Sequence, residues 1–279
     1  MVTSAETPDC HPLSLTRSIE DFPIGNVPLS EHQRRLLSDT GLIAHPHAWL
    51  DPEDVKAFLA SGSSTMLDAD QTPLLEAADK PLSVFRAIRS FVIRYPWDLL
   101  RANEQFVSTL LENIVEGEVH PAAVCEGILH FGVNSRILPG VFIEGNVIIG
   151  ANCKIGPNSY LRGNTSIGDG CHIGQSVEIK NCLILSKTNV GHLSYVGDSV
   201  LGENVNFGAG TTVSNLRHDG KTHRSMLDGK LVDTGRRKFG AIIGDGVHTG
   251  INTSIYPGRK LWPGTTTLPG AIVQHDIKP

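Results

Sequence analysis

The stretch from Ile137 to Ile179, ILPGVFIEGNVIIGANCKIGPNSYLRGNTSIGDGCHIGQSVEI, decides the fold. Counting in sixes from its first residue meets Ile137, Ile143, Ile149, Ile155, Leu161, Ile167, Ile173 and Ile179, every one Ile or Leu. Four places after each anchor the residue is again small or apolar: Val141, Val147, Cys153, Ser159, Thr165, Cys171 and Val177. Glycine follows the anchor at Gly150, Gly156, Gly168 and Gly174, where a tight turn makes a Cβ costly. A period of six is neither helical nor simple alternation. It fits a coil with three flat sides, each anchor pointing inward and stacking on its equivalent one circuit later. Strands of successive coils then lie about 4.8 Å apart, so backbone pairing and aliphatic ladders hold the stack together. Cys153 and Cys171 fall in one ladder and are expected as buried thiols acting as small hydrophobes.

Downstream the pattern resumes at Ile243, Thr249, Ile255, Leu261, Thr267 and Val273. Between the two runs the phase slips, near Gly191 and again between Val196 and Leu201. Upstream of about residue 119 no such period exists. Ser30 opens SEHQRRLLSDTG, which predicts a short capped helix closed by Gly41. Asp51 predicts the cap of a second, with Pro52 at its first position and Gly62 after its end. Residues 82–94 place Val84, Phe85, Ile88, Phe91 and Val92 on one helical face ended by Pro96, and a further helix runs from Trp97 to about Val115. The expected organisation is mainly β: residues 1–118 an N-terminal α-helical or mixed region, residues 119–279 a parallel β-helix of hexapeptide repeats.

Composition narrows the function. The chain has 279 residues, 40% of them apolar, which suffices for a core. Its net charge of −5 argues against a general nucleic-acid binder. No apolar run approaches the ~20 residues that span a bilayer. The opening MVTSAETPDCHPLSLTRS lacks the basic and apolar segments of a signal peptide, so the expected location is cytoplasmic. The 5 cysteines show neither paired spacing nor an even count, which disfavours a disulfide framework.

The period-breaking string Lys180–Lys221, KNCLILSKTNVGHLSYVGDSVLGENVNFGAGTTVSNLRHDGK, carries a resemblance. It is similar to the acetyltransferase domain of the bacterial bifunctional glucosamine-1-phosphate acetyltransferase/N-acetylglucosamine-1-phosphate uridyltransferases. It resembles still more the C-terminal domain of archaeal bifunctional sugar-1-phosphate nucleotidylyltransferase/acetyltransferases, with GHLSYVGDS, NFGAGT, NLR and the later GRRK and TGIN strings. The likeness spans roughly residues 119–277 and implies a left-handed coil, since handedness does not follow from period. It also implies acetyl-CoA as co-substrate, an amino-sugar 1-phosphate as acceptor, and a homotrimer with its sites between subunits; no catalytic metal, nucleic acid or membrane is expected.

The chemistry implied needs a base for the sugar ammonium, cations for the phosphate and donors for the thioester oxyanion. The resemblance puts the base on His192, whose imidazole suits proton transfer at neutral pH. It puts phosphate binding on Arg162 and Lys180, one circuit apart, where two stacked cations repel unless an anion sits between them. Tyr195 is implied to contact the sugar phosphate, Asn206 and Asn215 to hold the sugar, and Lys221 to follow NLR-x-D in the same role. For Asn206 an internal asparagine ladder is the alternative. The cofactor grip is implied at Ala209, Ile251 and Pro269, with the Phe207–Gly210 turn offering backbone N–H groups. Residues 217–240 hold Arg217, Lys221, Arg224, Lys230, Arg236, Arg237 and Lys238 against Asp219, Asp228 and Asp233, a basic excursion suited to phosphates.

Departures are equally plain. Residues 1–118 carry no G-x-G-T-R-M loop with a following Pro-Lys, so uridyl transfer is not expected even for a pyrophosphorylase-related chain; only YPWDLLRANEQ resembles the linker of such relatives. Ile251 replaces a hydroxyl residue of the bacterial enzymes, Leu216 a sugar-contacting tyrosine, and the bacterial C-terminal extension has no counterpart. Two other classes compete. His218 and His223 have the H-x4-H spacing of γ-class carbonic anhydrases, but Cys182 stands about two coils upstream where the third ligand belongs. A non-catalytic β-helix for assembly or regulation is the other, against which stands the joint presence of His192, Arg162, Lys180 and Lys221.

Overall fold

A computed structural model describes residues 10–78 and 81–279. Residues 1–9, the start of the segment read for a leader, lie outside it. From Ile114 onward each coil contributes one short strand to each of three parallel sheets. Face 1 runs from Ile114–Val115 to Lys260–Leu261 through 8 strands; face 2 runs from Glu118–Val119 to Asn206–Phe207 through 6; face 3 runs from Val124–Glu126 to Ile272–Val273 through 8. Single bridges at His248 and Thr266 carry face 2 further. The architecture is the expected left-handed parallel β-helix, mainly β, with a mixed N-terminal region. Its axis is filled by the anchors: Ile137, Ile143, Ile149, Ile155, Leu161, Ile167, Ile173 and Ile179 are all buried, as are Val141, Val147, Cys153, Cys171 and Val177. A parallel sheet with both faces covered reads as continuous apolar sequence, and face 1 does so at Val147–Ile149 and Leu183–Ile184.

The coil length is set at the corner from face 3 to face 1. Arg162 pairs with Lys180, but Ser166 pairs with Leu183, so one residue is lost at Asn181–Cys182. This corrects the first slip, placed near Gly191 from sequence. The same short corner recurs at Asp198–Ser199 and produces the second slip between Val196 and Leu201 where expected. The anchors therefore continue as Ile184, Val190, Val196, Leu201, Phe207 and Val213, all buried. Val213 next pairs with Ile255, and the long interval carries the basic excursion. That excursion is no simple loop: Arg224–Leu227 and Lys230–Asp233 form an antiparallel hairpin. In the second run Thr249 is buried, its hydroxyl 2.8 Å from that of Thr211.

The N-terminal region departs more from expectation. Helix α1 spans Leu29–Leu36 with no side-chain cap, so Ser30 lies inside it and Gly41 belongs to a separate turn. Helix α2, Pro52–Ser61, matches: Asp51 accepts from the Glu53 amide, and Gly62 ends it at φ 69°. The helix expected over 82–94 is absent. Val84–Arg86 and Phe91–Val92 are strands instead. The buried Asp54 carboxylate takes the amides of Ile88, Arg89 and Ser90 at 3.1, 2.8 and 2.6 Å. A side chain from α2 thus captures the donors a local helix needs. Pro96 opens a helix rather than ending one: α3 spans Pro96–Ser108, with Asp98 accepting from the Arg94 and Tyr95 amides. It stops short of Val115 because Ile114–Val115 is the first rung of face 1.

Helix α3 lies across face 1. Phe22, Ile24, Trp97 and Leu100 pack there against the outward side chains Leu183, Leu185, Val200 and Ile242. Arg17 ties the same region to Glu203 and Asp245 at 3.1 and 2.6 Å. No helix of the described residues is long and apolar enough to cross a membrane.

Candidate functional site

The corner from face 2 to face 3 repeats with each coil, and its register builds a column. Gly210 N–H donates to His192 O, Asn252 N–H to Ala209 O, and Gly270 N–H to Ile251 O, at 3.1, 2.8 and 2.8 Å. His192, Ala209, Ile251 and Pro269 therefore occupy one position in four successive coils, about 4.8 Å apart. His192 ends the strand Asn189–His192 with its side chain exposed, and no described group bonds its ring nitrogens. The next residue is Leu193, 66% exposed at φ 50°. The coil before places Ser176 there, at φ 55°, and the coils after place Gly210, Asn252 and Gly270, which tolerate a left-handed backbone; a leucine is strained. Strain of this kind gathers at functional sites, and here it adjoins the imidazole. One coil on, the Ala209 N–H donates to no described group. His172, one coil before on face 2, has its imidazole held below the usual range by burial, then by Lys154 and His192.

Face 3 presents the second group. Tyr160 and Arg162, Glu178 and Lys180, then Tyr195 and Gly197 alternate outward around the buried Leu161, Ile179 and Val196. Arg162 and Lys180 are register partners in adjacent coils, as their spacing predicts. Their repulsion does not require a bound anion between them, because each cation already has a carboxylate. Arg162 donates to Glu178 Oε1 at 2.9 and 2.7 Å, and Lys180 Nζ lies 3.0 Å from Asp198 Oδ2. Asp198, only 3% exposed, is the hub sequence reasoning passed over. It also accepts from Asn181 at 2.9 Å and from Asn215 at 2.5 Å. It sits in the short corner at φ 49°, a conformation Asp tolerates. The signal was present in the phase slip between Val196 and Leu201, which marks this turn.

Gly197 occupies the place that Arg162 and Lys180 hold in earlier coils. A Cβ there would come within 2.5 Å of Asn215 Nδ2 and 2.6 Å of Tyr195 Oη, so the notch admits both groups. Burial, with Glu178 and Asp198 nearby, pushes the Tyr195 phenol up, so it stays protonated and able to donate. Beyond the notch a cleft of about 550 Å³ is lined by Ser214, Leu216, Arg217, Asp219 and Tyr256.

One protomer therefore brings together Arg162, Lys180, Tyr195 and Asn215, and separately His192, Ala209, Ile251 and Pro269, at opposite edges of face 3. Asn206 joins neither group. It is exposed on face 2 between Asn189 and His248, an outward ladder and not an internal one. Lys221 is exposed on the excursion, its amide donating to Asp219 at 3.2 Å. Arg217 also pairs with Asp219, so part of the excursion's charge is neutralised locally. His223 is buried with Nε2 3.0 Å from Asn215 O, which removes it from any metal reading with His218. Among the described residues no group of three or more His, Cys, Asp or Glu is arranged to hold a metal. Burial pushes the Cys182 thiol up to about 12, as for an inert packing residue.

Residues 134–263 match the family model for the GMPPB C-terminal domain. A bifunctional protein GlmU of Methanococcus maripaludis (strain C7) is 52% identical over 188 residues, 67% of this chain and 45% of its own length. A bifunctional sugar-1-phosphate nucleotidylyltransferase/acetyltransferase of Sulfurisphaera tokodaii is 50% identical over 102 residues, 37% of this chain and 25% of its own. The chain spans less than half the length of these relatives. A solved UDP-N-acetylglucosamine acyltransferase aligns over 56% of this chain and 66% of its own at 13% identity and TM-score 0.27, a likeness too distant to carry an inference. The C-terminal region is thus homologous to GlmU-type bifunctional sugar-1-phosphate nucleotidylyltransferase/acetyltransferases.

Asp198→Ala should lower the unfolding free energy by about 3 kcal/mol, since it strands the Lys180 ammonium and leaves a left-handed alanine. Asp198→Asn keeps an acceptor and the backbone tolerance, and should cost roughly half of that. Urea unfolding measures both; equal losses would show that the acceptor and the backbone tolerance contribute nothing and that the charge accounts for the whole effect.

Proposed function

From this homology we propose that the chain is an acetyl-CoA-dependent N-acetyltransferase acting on an amino-sugar 1-phosphate. The observation that supports it most is the column of His192 beside the free Ala209 amide, across one strand from Arg162, Lys180, Tyr195 and Asn215. The exposed imidazole takes a proton from the sugar ammonium. The freed amine adds to the thioester carbonyl, and the Ala209 N–H stabilises the oxyanion as the tetrahedral adduct forms. The adduct collapses to the amide as the C–S bond breaks; CoA leaves as a thiol carrying the proton that His192 held, and the second proton lost by the nitrogen passes to solvent. Ile251 and Pro269 continue the column as a wall for the pantetheine arm. Arg162 and Lys180 bind the phosphate, exchanging their carboxylate partners for it in part, and Tyr195 and Asn215 orient the sugar.

A single protomer leaves Leu193, Ile251, Leu268 and Ile272 between 53% and 79% exposed along this edge. The reading therefore includes a parallel homotrimer, in which a second copy covers this edge and closes the site with its own residues, Asn206 and Lys221 among them. Light scattering should show a trimer at micromolar concentration; a stable monomer would count against a site shared between subunits.

His192→Ala should lower turnover by about 10² to 10⁴ while acetyl-CoA binding by calorimetry stays nearly unchanged. Unaltered turnover would remove His192 from the mechanism. Arg162→Ala or Lys180→Ala should raise KM for the sugar phosphate by roughly ten- to a hundred-fold, with a smaller effect on kcat. Acetylation of an unphosphorylated amino sugar should be almost indifferent to either change. Equal losses on both acceptors would mean that these cations do not read the phosphate.

A further inference from the structure

Glu104 belongs to α3, in the N-terminal region, yet its carboxylate reaches the corner where the acceptor residues meet. Its Oε1 accepts from Asn181 Nδ2 at 2.5 Å. The same carboxylate takes both terminal nitrogens of Arg236 from the excursion, Nη1 at 3.1 Å and Nη2 on Oε1. Asn181 Nδ2 also donates to Asp198 Oδ1, and Asp198 holds Lys180 and Asn215. The bonds form one uninterrupted path: Arg236, Glu104, Asn181, Asp198, then Lys180 and Asn215. Glu104 and Arg236 are 24% and 17% exposed, so the pair is shielded enough for its geometry to persist.

We propose that Glu104 is a positioning residue for the phosphate subsite, through which the N-terminal region holds Arg236, Asn181 and the Asp198 hub in their binding arrangement. The proposal rests on the acceptor reading above. Its physical content is preorganisation. Asn181 has one amide nitrogen shared between two carboxylates, so removing Glu104 frees it to turn away from Asp198. Arg236, a long side chain on a hairpin, loses the partner that aims it at this corner. The phosphate then meets cations that must be ordered on binding, a cost of about one rotamer-rich side chain for each. A mere tie between regions would act differently. Arg17 provides such a tie, to Glu203 and Asp245, with no bond to the acceptor residues.

The test is steady-state thiol release by the full chain, with glucosamine 1-phosphate or galactosamine 1-phosphate varied against acetyl-CoA. Glu104→Ala and Arg236→Ala should each raise KM for the phosphorylated acceptor about ten-fold, with kcat and KM for acetyl-CoA within about two-fold. The double variant should be about as impaired as the worse single one, because both act through one interaction. Glu104→Gln, which keeps an acceptor for Asn181 without the charge, should fall between and retain the wild-type Tm. Arg17→Ala should lower Tm and leave both KM values alone. An unchanged acceptor KM in an active Glu104→Ala or Glu104→Gln enzyme, a parallel rise for acetyl-CoA, or an equal effect of Arg17→Ala overturns the positioning role alone. A wild-type chain that neither turns over nor binds either sugar phosphate by calorimetry overturns the acceptor reading and this proposal with it.

Discussion

The backbone ladder between successive coils is the constraint on which the rest depends. Each strand pairs in parallel with the one a circuit earlier, so one residue's register fixes the place of every later one. Inward side chains must then stack, and an Ile or Leu at each anchor fills the axis without polar atoms. Any side chain placed at a corner or on an outward position is repeated by its neighbours above and below at strand spacing. That is how His192 and Ala209, one circuit apart in the chain, become neighbours. It is also how Arg162 comes to lie over Lys180.

The charges on face 3 show what such regularity costs. Stacking cations along a ladder is unfavourable, and the chain offsets it with Glu178 on Arg162 and Asp198 on Lys180, while Glu104 pairs with Arg236 of the excursion. The cluster is therefore close to neutral before any ligand arrives. Its order comes from the bonds, and its capacity for an anion comes from how readily the carboxylates share their partners. Asp198 is the most buried of the three and the most heavily bonded, which makes it the structural hub and Glu178 the more exchangeable partner.

Face 1 carries a different burden. Its outward residues Ile148, Leu183, Leu185, Val200 and Ile242 are apolar and buried, although the six-residue period assigns them to the outside. The N-terminal region packs Phe22, Ile24, Trp97 and Leu100 against Leu183, Leu185, Val200 and Ile242. A coil with one apolar outer face exposes a sheet surface prone to association, and α3 with its preceding segments removes that surface. These off-period apolar residues were readable in the sequence as a face needing cover. Within the N-terminal region itself the periodicity over 82–94 misled, because alternating burial in two short strands and a bonded turn mimics a helical stripe over so few residues.

The sequence by itself determined the coil, its anchors, the second phase slip, the α2 helix with Asp51 and Gly62 at its ends, and the spacing that stacks Arg162 on Lys180. All of these are local or strictly periodic, and a period is visible in one dimension. The residues drawn from the resemblance fell into two groups and two strays, and the sequence alone could not sort them that way. Only the tertiary structure decided that Asp54 would take the three amides that break the 82–94 helix, that Asp198 would gather Lys180, Asn181 and Asn215, and that Glu104 would reach across from α3 to Arg236. Each is a carboxylate meeting donors from another segment. Which donors a buried carboxylate finds depends on the three-dimensional path of the chain, and no spacing encodes that path.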